Sequence, residues 1–400
     1  MKSLNNRLGV SLFKARPLFL TLLLLLASFM PVAANDGIYY TKGNQLVPLQ
    51  ETDISVRKEV LTISLMDNGY ARVDVYYEFW NPGSAVKRLL MGFEADPPYN
   101  DDYMFHPDGR HPNIKDFTVE MNGRCLAYHN AACVRDTLPL RPIDTSKRYY
   151  VWDDNALYEV SDDNGVEPID GDLRIFFNYV YYFDADFQPG LNRVHHTYTY
   201  CMSKVVGTPY VLEYKLTPAG RWAGGKIDDF TLVIRVDNTA KHFYVLDDAT
   251  LRGADCDVTE GMGKVRLAKL YKEGCHEVSL RNGAIQFHLN DFHPMSELRI
   301  EGVSMYECVD KGDVFHFGAT YDRSAPVCLW YSADKVEPAD KAFLRRVARN
   351  LPFAHRGHVF RDKRLREFFE SLWWYMPDPD YRDSTDDFTD VDRMYINAEF

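Results

Sequence analysis

The sequence predicts a mainly β protein: an immunoglobulin-like β-sandwich body, built as one sandwich or two, followed by a small all-α C-terminal module. Two observations carry this. Residues 54–305 hold a dense series of Val-, Tyr- and Phe-rich runs broken by Asn, Gly and Pro, the signature of short antiparallel strands. Helical spacing emerges only after Pro338, where Phe343, Leu344, Val347 and Leu351 recur before a turn and Leu365, Phe368, Phe369, Leu372 and Trp373 after it. The division is therefore 1–34, 35–205, 206–336 and 337–400, with the two central β-rich regions counting as two domains or one.

The first segment has the features of a secretory signal. Lys2, Arg7, Lys14 and Arg16 precede the apolar run from Leu18 to Phe29, and Val32-Ala33-Ala34 supplies the small residues of a cleavage site. The run is about 12 residues long, short of the ~20 that span a bilayer. An exported chain without a transmembrane span after cleavage is expected, placed in the periplasm, at the outer surface or outside the cell. Removing four basic and no acidic residues takes the net charge from -12 to -16. That balance argues against nucleic acid or an anionic membrane as a general partner.

Seven cysteines follow the signal: Cys125, Cys133, Cys201, Cys256, Cys275, Cys308 and Cys328. In an oxidising compartment Cys125 with Cys133, Cys256 with Cys275 and Cys308 with Cys328 could pair and leave Cys201 alone; free buried thiols are the other reading.

In chain order, residues 36–53 show no periodicity and read as surface chain. A hairpin follows, in which the run 54–65 turns at Asp67-Asn68-Gly69 and returns with Ala71, Val73, Val75, Tyr77 and Phe79 on one face. A strand over 87–93 continues the meander. Residues 96–111, rich in Pro and Asp, read as a long loop. Phe117, Val119 and Met121 alternate up to the turn Asn122-Gly123, and 131–172 reads as polar loop. Strands are expected over 173–183, 192–202, 210–216, 230–236, 265–272, 277–280, 285–289 and 298–303, with Asn282-Gly283 as a further hairpin turn.

No phosphate-binding Gly-rich loop, nucleophile elbow, His-Glu-x-x-His or Cys-x-x-Cys is present. The acidic runs at 153–154 and 162–165 lack the ligand order of a calcium loop. His195 and His196 are adjacent in a strand and point to opposite faces, so they read as one buried, hydrogen-bonded imidazole and one outward one rather than as a metal pair. His355 and His358 lack clustered ligands for zinc. Neither a metal nor a cofactor is expected.

The segment Arg349-Asn350-Leu351-Pro352-Phe353-Ala354-His355-Arg356-Gly357-His358-Val359-Phe360, with Leu365 and Trp374-Tyr375 beyond it, resembles the YARHG domain, a module of exported bacterial proteins. Arg349-Asn350, Ala354, Gly357, Phe360, Leu365 and Trp374-Tyr375 follow the family pattern. His355-Arg356 reverses its Arg-His order, and His358 replaces an aromatic. The body, through Val194-His195-His196, Leu212-Glu213-Tyr214 and Trp222-Ala223-Gly224, resembles an uncharacterised family of exported proteins, which implies no activity. Asp340 and Asp362 are suited to cap the two module helices, Pro352 argues against the first continuing past Leu351, and Val391, Met394 and Ile396 suit a closing helix.

Charge divides within this module. Between Pro338 and Met376 nine Lys or Arg face four acids, a formal +5, whereas residues 377–400 carry a formal -6. The acidic tail folds back to neutralise the basic helices, or the basic face meets an anionic polymer. Candidate binding residues on the rim are Arg349, His355, Arg356, His358, Trp374 and Tyr375. The expected function is that of a non-catalytic envelope or extracellular binding protein. Its partner is peptidoglycan, another envelope glycan or an envelope protein. The alternative is a glycan hydrolase using loop carboxylates within 96–108 or 153–163, since two close carboxyl groups suffice for that chemistry.

Overall fold

The computed structural model describes residues 42–303 and 338–397 except residues 45, 50–51, 68, 99–101, 104, 136–138, 152–155, 161–165, 168–174, 206–207, 238–239, 247–250, 252–253 and 269–272. The expected signal segment 1–34, the acidic runs at 153–154 and 162–165, the expected body-to-module boundary, Cys308 and Cys328 lie outside the described residues.

The body packs two sheets around one core, of 13 and 8 strands among the described residues. The larger sheet is organised on the expected hairpin, Ser55–Leu65 with Tyr70–Asn81. Gly69 holds φ +81° at its turn, a conformation open to Gly and strained for most other residues. On one side the hairpin pairs with Gly190–Cys201 and then Ile114–Met121. On the other it pairs in parallel with Ile227–Val236, which pairs with His276–Phe292. The two β-rich regions thus share one sheet, and a parallel pair lies inside a largely antiparallel body. The smaller sheet centres on Lys87–Ala95, Ile175–Phe187 and His129–Val134.

Aromatic rings join the layers. Phe79 of the larger sheet meets Phe187 of the smaller edge-on at 5.6 Å, and Phe93 meets Tyr198 at 4.6 Å. All four are buried, so the Tyr and Phe abundance of these strands serves packing.

Several expectations are corrected. Within residues 36–53, Lys42–Asn44 and Leu46–Pro48 are strands, and Leu46 and Leu49 are buried because their apolar side chains cap the sandwich core. The polar stretch 131–172 contributes His129–Val134, Tyr149–Val151 and Ala156–Val160 to the smaller sheet. Asn282-Gly283 does not end a hairpin: His276–Phe292 runs straight through it. The two residues form a bulge against Cys256–Leu267, whose register shifts at Glu260. Here Gly261 and Gly283 cross so closely that a Cβ on Gly261 would lie 2.0 Å from the Asn282 carbonyl oxygen.

The five described cysteines are free thiols, so the pairings of Cys125 with Cys133 and Cys256 with Cys275 are not formed. Burial pushes the Cys133 thiol up to about 11 and that of Cys256 up to about 12, which keeps both in the unreactive protonated form. His196 is buried as expected, but neither of its ring nitrogens has a hydrogen-bond partner, and burial lowers its pKa to about 3. Its ring stacks with those of Tyr77 and Tyr198, ring centres 5.9 and 5.8 Å away. His195 faces outward to Asp74 at 2.9 Å.

Among the described residues the module has three helices: α1 (Pro338–His355), α2 (Lys363–Glu370) and α3 (Asp390–Asn397). No helix among the described residues is long and apolar enough to cross a membrane.

Candidate functional site

The module builds its own small core, in which Val347 and Leu351 of α1, Leu365 and Phe369 of α2, Tyr395 of α3 and the linking Phe360, Trp374 and Tyr375 are buried together. Helix α1 runs past Pro352 to His355, contrary to the expected stop at Leu351. Pro352 sits in the last turn, where the missing N–H costs one bond near an end that frays in any case. The end is a Schellman closure: the His358 amide donates to the Phe353 carbonyl, the Gly357 amide to that of Ala354, and Gly357 takes φ +88°.

Helix α2 is capped as expected, the Asp362 carboxylate accepting from the Arg364 and Leu365 amides. Thr389 and Asp392 form a capping box on α3: the Asp392 amide donates to Thr389 Oγ1 while the Thr389 amide donates back to the Asp392 carboxylate.

The structure separates the six rim candidates. Arg356 is 6% exposed and its guanidinium is spent inside. It donates to Asp392 at 2.9 Å, to Asp387 at 3.0 Å and to the Pro352 carbonyl at 3.0 Å, and lies 4.2 Å from the Phe388 ring centre. His355 is buried against Trp374, ring centres 4.9 Å apart, and burial, more than the opposing charges of Asp392 and Arg356, lowers its pKa to about 3. Trp374 and Tyr375 are interior. The Tyr375 hydroxyl donates to the His358 carbonyl, and burial pushes its pKa up to about 12. His358 is half-buried and pairs with Asp383 at 2.7 Å. Arg349 alone of the six is exposed.

The acidic tail therefore folds back, but onto particular groups: Asp387 and Asp392 take Arg356, Asp383 takes His358 and Asp378 takes Arg281 of the body. The outer faces of α1 and α2 stay basic. Arg346, Arg349, Lys363, Arg364 and Arg366 are exposed there, with Arg361 exposed just before α2, against the exposed acids Asp362, Glu367 and Glu370.

Sequence reasoning missed the residues that dock this module. Lys264 donates to the carbonyls of Trp373 and Tyr375 at 3.0 and 2.8 Å, and Ser279 to that of Trp374 at 3.3 Å. Arg266 lies 4.2 Å from the Trp373 ring centre and is itself held by Glu277. Arg281 packs against Gly357, where a Cβ would meet its guanidinium at 2.0 Å. These residues alternate along two strands of the body, a spacing that any outward strand face shows, so no local signal marked them.

Residues 333–398 match the YARHG domain. The chain carries a YARHG domain. Residues 34–139, upstream of it, match a domain of unknown function, DUF4424. No curated protein matches the chain. Similar solved structures include a candidate nutrient-binding protein of Legionella pneumophila, 17% identical with TM-score 0.48, covering 90% of this chain and 98% of that one. An M1 zinc metallopeptidase of Deinococcus radiodurans is 10% identical with TM-score 0.27, over 76% of this chain and 54% of that one. Baculovirus P35 is 10% identical with TM-score 0.24, over 63% of this chain and 98% of that one. Within the YARHG domain here, the reversed His355-Arg356 order puts the arginine on the tail carboxylates and the histidine against Trp374.

Proposed function

We propose that the chain is an exported, non-catalytic binding protein of the cell envelope or extracellular space. Its β body is the scaffold, and its YARHG domain presents the basic faces of α1 and α2 to an anionic envelope polymer such as peptidoglycan. The observation that carries this reading is the distribution of charge: the tail carboxylates engage Arg356, His358 and Arg281, while six exposed Lys and Arg side chains stand on the two helices and on the link just before α2, against three exposed acids. Export is supported by the amino-terminal signal pattern and by the occurrence of YARHG domains in exported proteins.

The non-catalytic part is supported by the engagement of two described loop carboxylates, Asp96 and Asp108. Asp96 is bound by Lys215 at 2.5 Å with Arg135 at 3.9 Å. Asp108 is bound by His106 at 2.5 Å and the Arg110 amide at 3.1 Å. Burial resists its ionisation, but these bonds outweigh that and hold its carboxyl below the usual range. A glycosidase acid needs the opposite shift.

Co-sedimentation with purified peptidoglycan sacculi tests the proposal. The full mature chain should be retained and a variant carrying R349E, R361E, K363E and R366E should stay in solution with an unchanged melting temperature. Equal retention of the two would remove the basic face from the account.

A further inference from the structure

The face of the body that carries the YARHG domain is polar. Strand register sets its residues in rows across the larger sheet: Arg266, Glu277, Tyr244 and Glu301 in one, Lys264, Ser279 and His242 in the next, Met262 and Arg281 in a third. Residues paired directly across antiparallel strands share a face, so these side chains stand together beneath the module. The apolar residues of the module form a core of their own, apart from that of the body. The seat between the two cores is built from polar contacts and the Trp373 ring.

His242 lies within this seat with no exposed side-chain surface. Its ring meets that of Trp373 edge-on, ring centres 5.5 Å apart, and its Nε2 lies 3.2 Å from a Glu277 carboxylate oxygen. A carboxylate only accepts, so the proton sits on Nε2. Nδ1 is then a buried acceptor with no partner among the described residues. The other Glu277 oxygen accepts from Arg266 at 2.6 Å, and Arg266 in turn lies over Trp373. Asp378 takes Arg281 at 3.4 Å, Glu301 takes Arg299 at 2.6 Å, and Lys264 meets two backbone carbonyls. Lys264, Arg266 and Arg281 thus stand against Glu277 and Asp378, a formal +1.

We infer that His242 makes this seat pH-sensitive, holding the YARHG domain on the body at neutral pH and releasing it on mild acidification. A proton added at Nδ1 raises the seat to +2 where water does not reach, and it turns an unpaired acceptor into an unpaired donor. Glu277 faces the imidazole but already serves Arg266. Leaving the seat lets water reach His242 while both cores stay intact. Burial, reinforced by the Arg266 charge and opposed by Glu277, lowers the His242 pKa in the seated form, whereas an unseated imidazole returns to ~6.5. The unseated form therefore takes up the proton first. Seating is at full strength above pH ~6.5 and weakens by up to about ten-fold for each pH unit below it.

Hydroxyl-radical footprinting of the full mature chain at pH 7 and pH 5 tests this with no polymer present, so its outcome is separate from that of sacculus binding. Oxidation of Trp373 and Met262, both half-buried in the seat, should rise about two-fold or more at pH 5, in proportion to the fraction unseated. Met91 and Phe369, interior to the two cores, should stay protected, which distinguishes release from unfolding. H242Q keeps a donor for Glu277 without titrating, and H242F fills the same slot; either should abolish the rise. Equal oxidation of wild type at both pH values would overturn the inference, as would an undiminished rise in H242Q. Should neither variant seat at pH 7, NMR of the wild-type histidines decides. His242 titrating in step with exposure of Trp373 would support the inference, and His242 titrating at ~6.5 or above while Trp373 stays protected would overturn it.

Discussion

Arg356 joins three parts of the YARHG domain through one guanidinium: the end of α1, the tail at Asp387 and the first turn of α3 at Asp392. Asp392 is buried, so R356A leaves its carboxylate without the cation that neutralises it. Breaking a buried pair from one side costs about 3–5 kcal/mol, and chemical denaturation followed by tryptophan fluorescence should show a loss of that order for R356A. The sequence identified Arg356 as a special residue but placed it on the rim. Its burial depends on where residues 387–392 return, and that is set by tertiary packing over about 30 residues of separation.

A second residue-level effect concerns pH. Burial lowers the imidazoles of His355 and His196 to about 3 and that of His111 to about 4. Each folded-state pKa lies below the ~6.5 of an unfolded chain, so the unfolded state binds more protons between the two values and stability rises with pH there. This contribution is complete above pH ~6.5 and is lost as pH falls toward about 3 to 4. Melting temperatures measured from pH 7 to pH 4 should fall progressively, and replacing His196 by Phe, which stacks in the same slot, should flatten the dependence.

Among the elements, the 54–81 hairpin was legible because strict alternation and a Gly turn leave one register for its buried face. The run through Asn282-Gly283 was not, because positive φ serves a bulge as well as a turn. The crossing of Gly261 and Gly283 is a backbone-to-backbone approach, which no side-chain rearrangement relieves. G261A should therefore destabilise the body by about 2 kcal/mol or more in urea denaturation. Helix α1 illustrates the same limit: Pro352 disfavours a helix interior, but one lost bond in a final turn is outweighed by burial of Ala354 and His355 below it.

On the scale of the whole molecule, the YARHG domain is seated on the body through Lys264, Ser279, Arg266 and Arg281. Lys264 satisfies two carbonyls at once, and its loss would leave both without their donor. The double variant K264M/R281M should split one cooperative melting transition into two, the lower belonging to the module. A single unchanged transition would mean that the two hydrophobic cores hold together without these bonds.

Docking fixes which module surface points outward, and that surface is the basic one on α1 and α2. The most direct measurement of its role is the affinity of the full mature chain for purified peptidoglycan sacculi as a function of ionic strength. Exposed charges are screened within about 10 Å at 0.1 M salt, so affinity should fall steeply as salt rises and should be abolished at all salt concentrations by R349E/R361E/K363E/R366E. Binding that is indifferent to salt and to charge reversal would contradict the account.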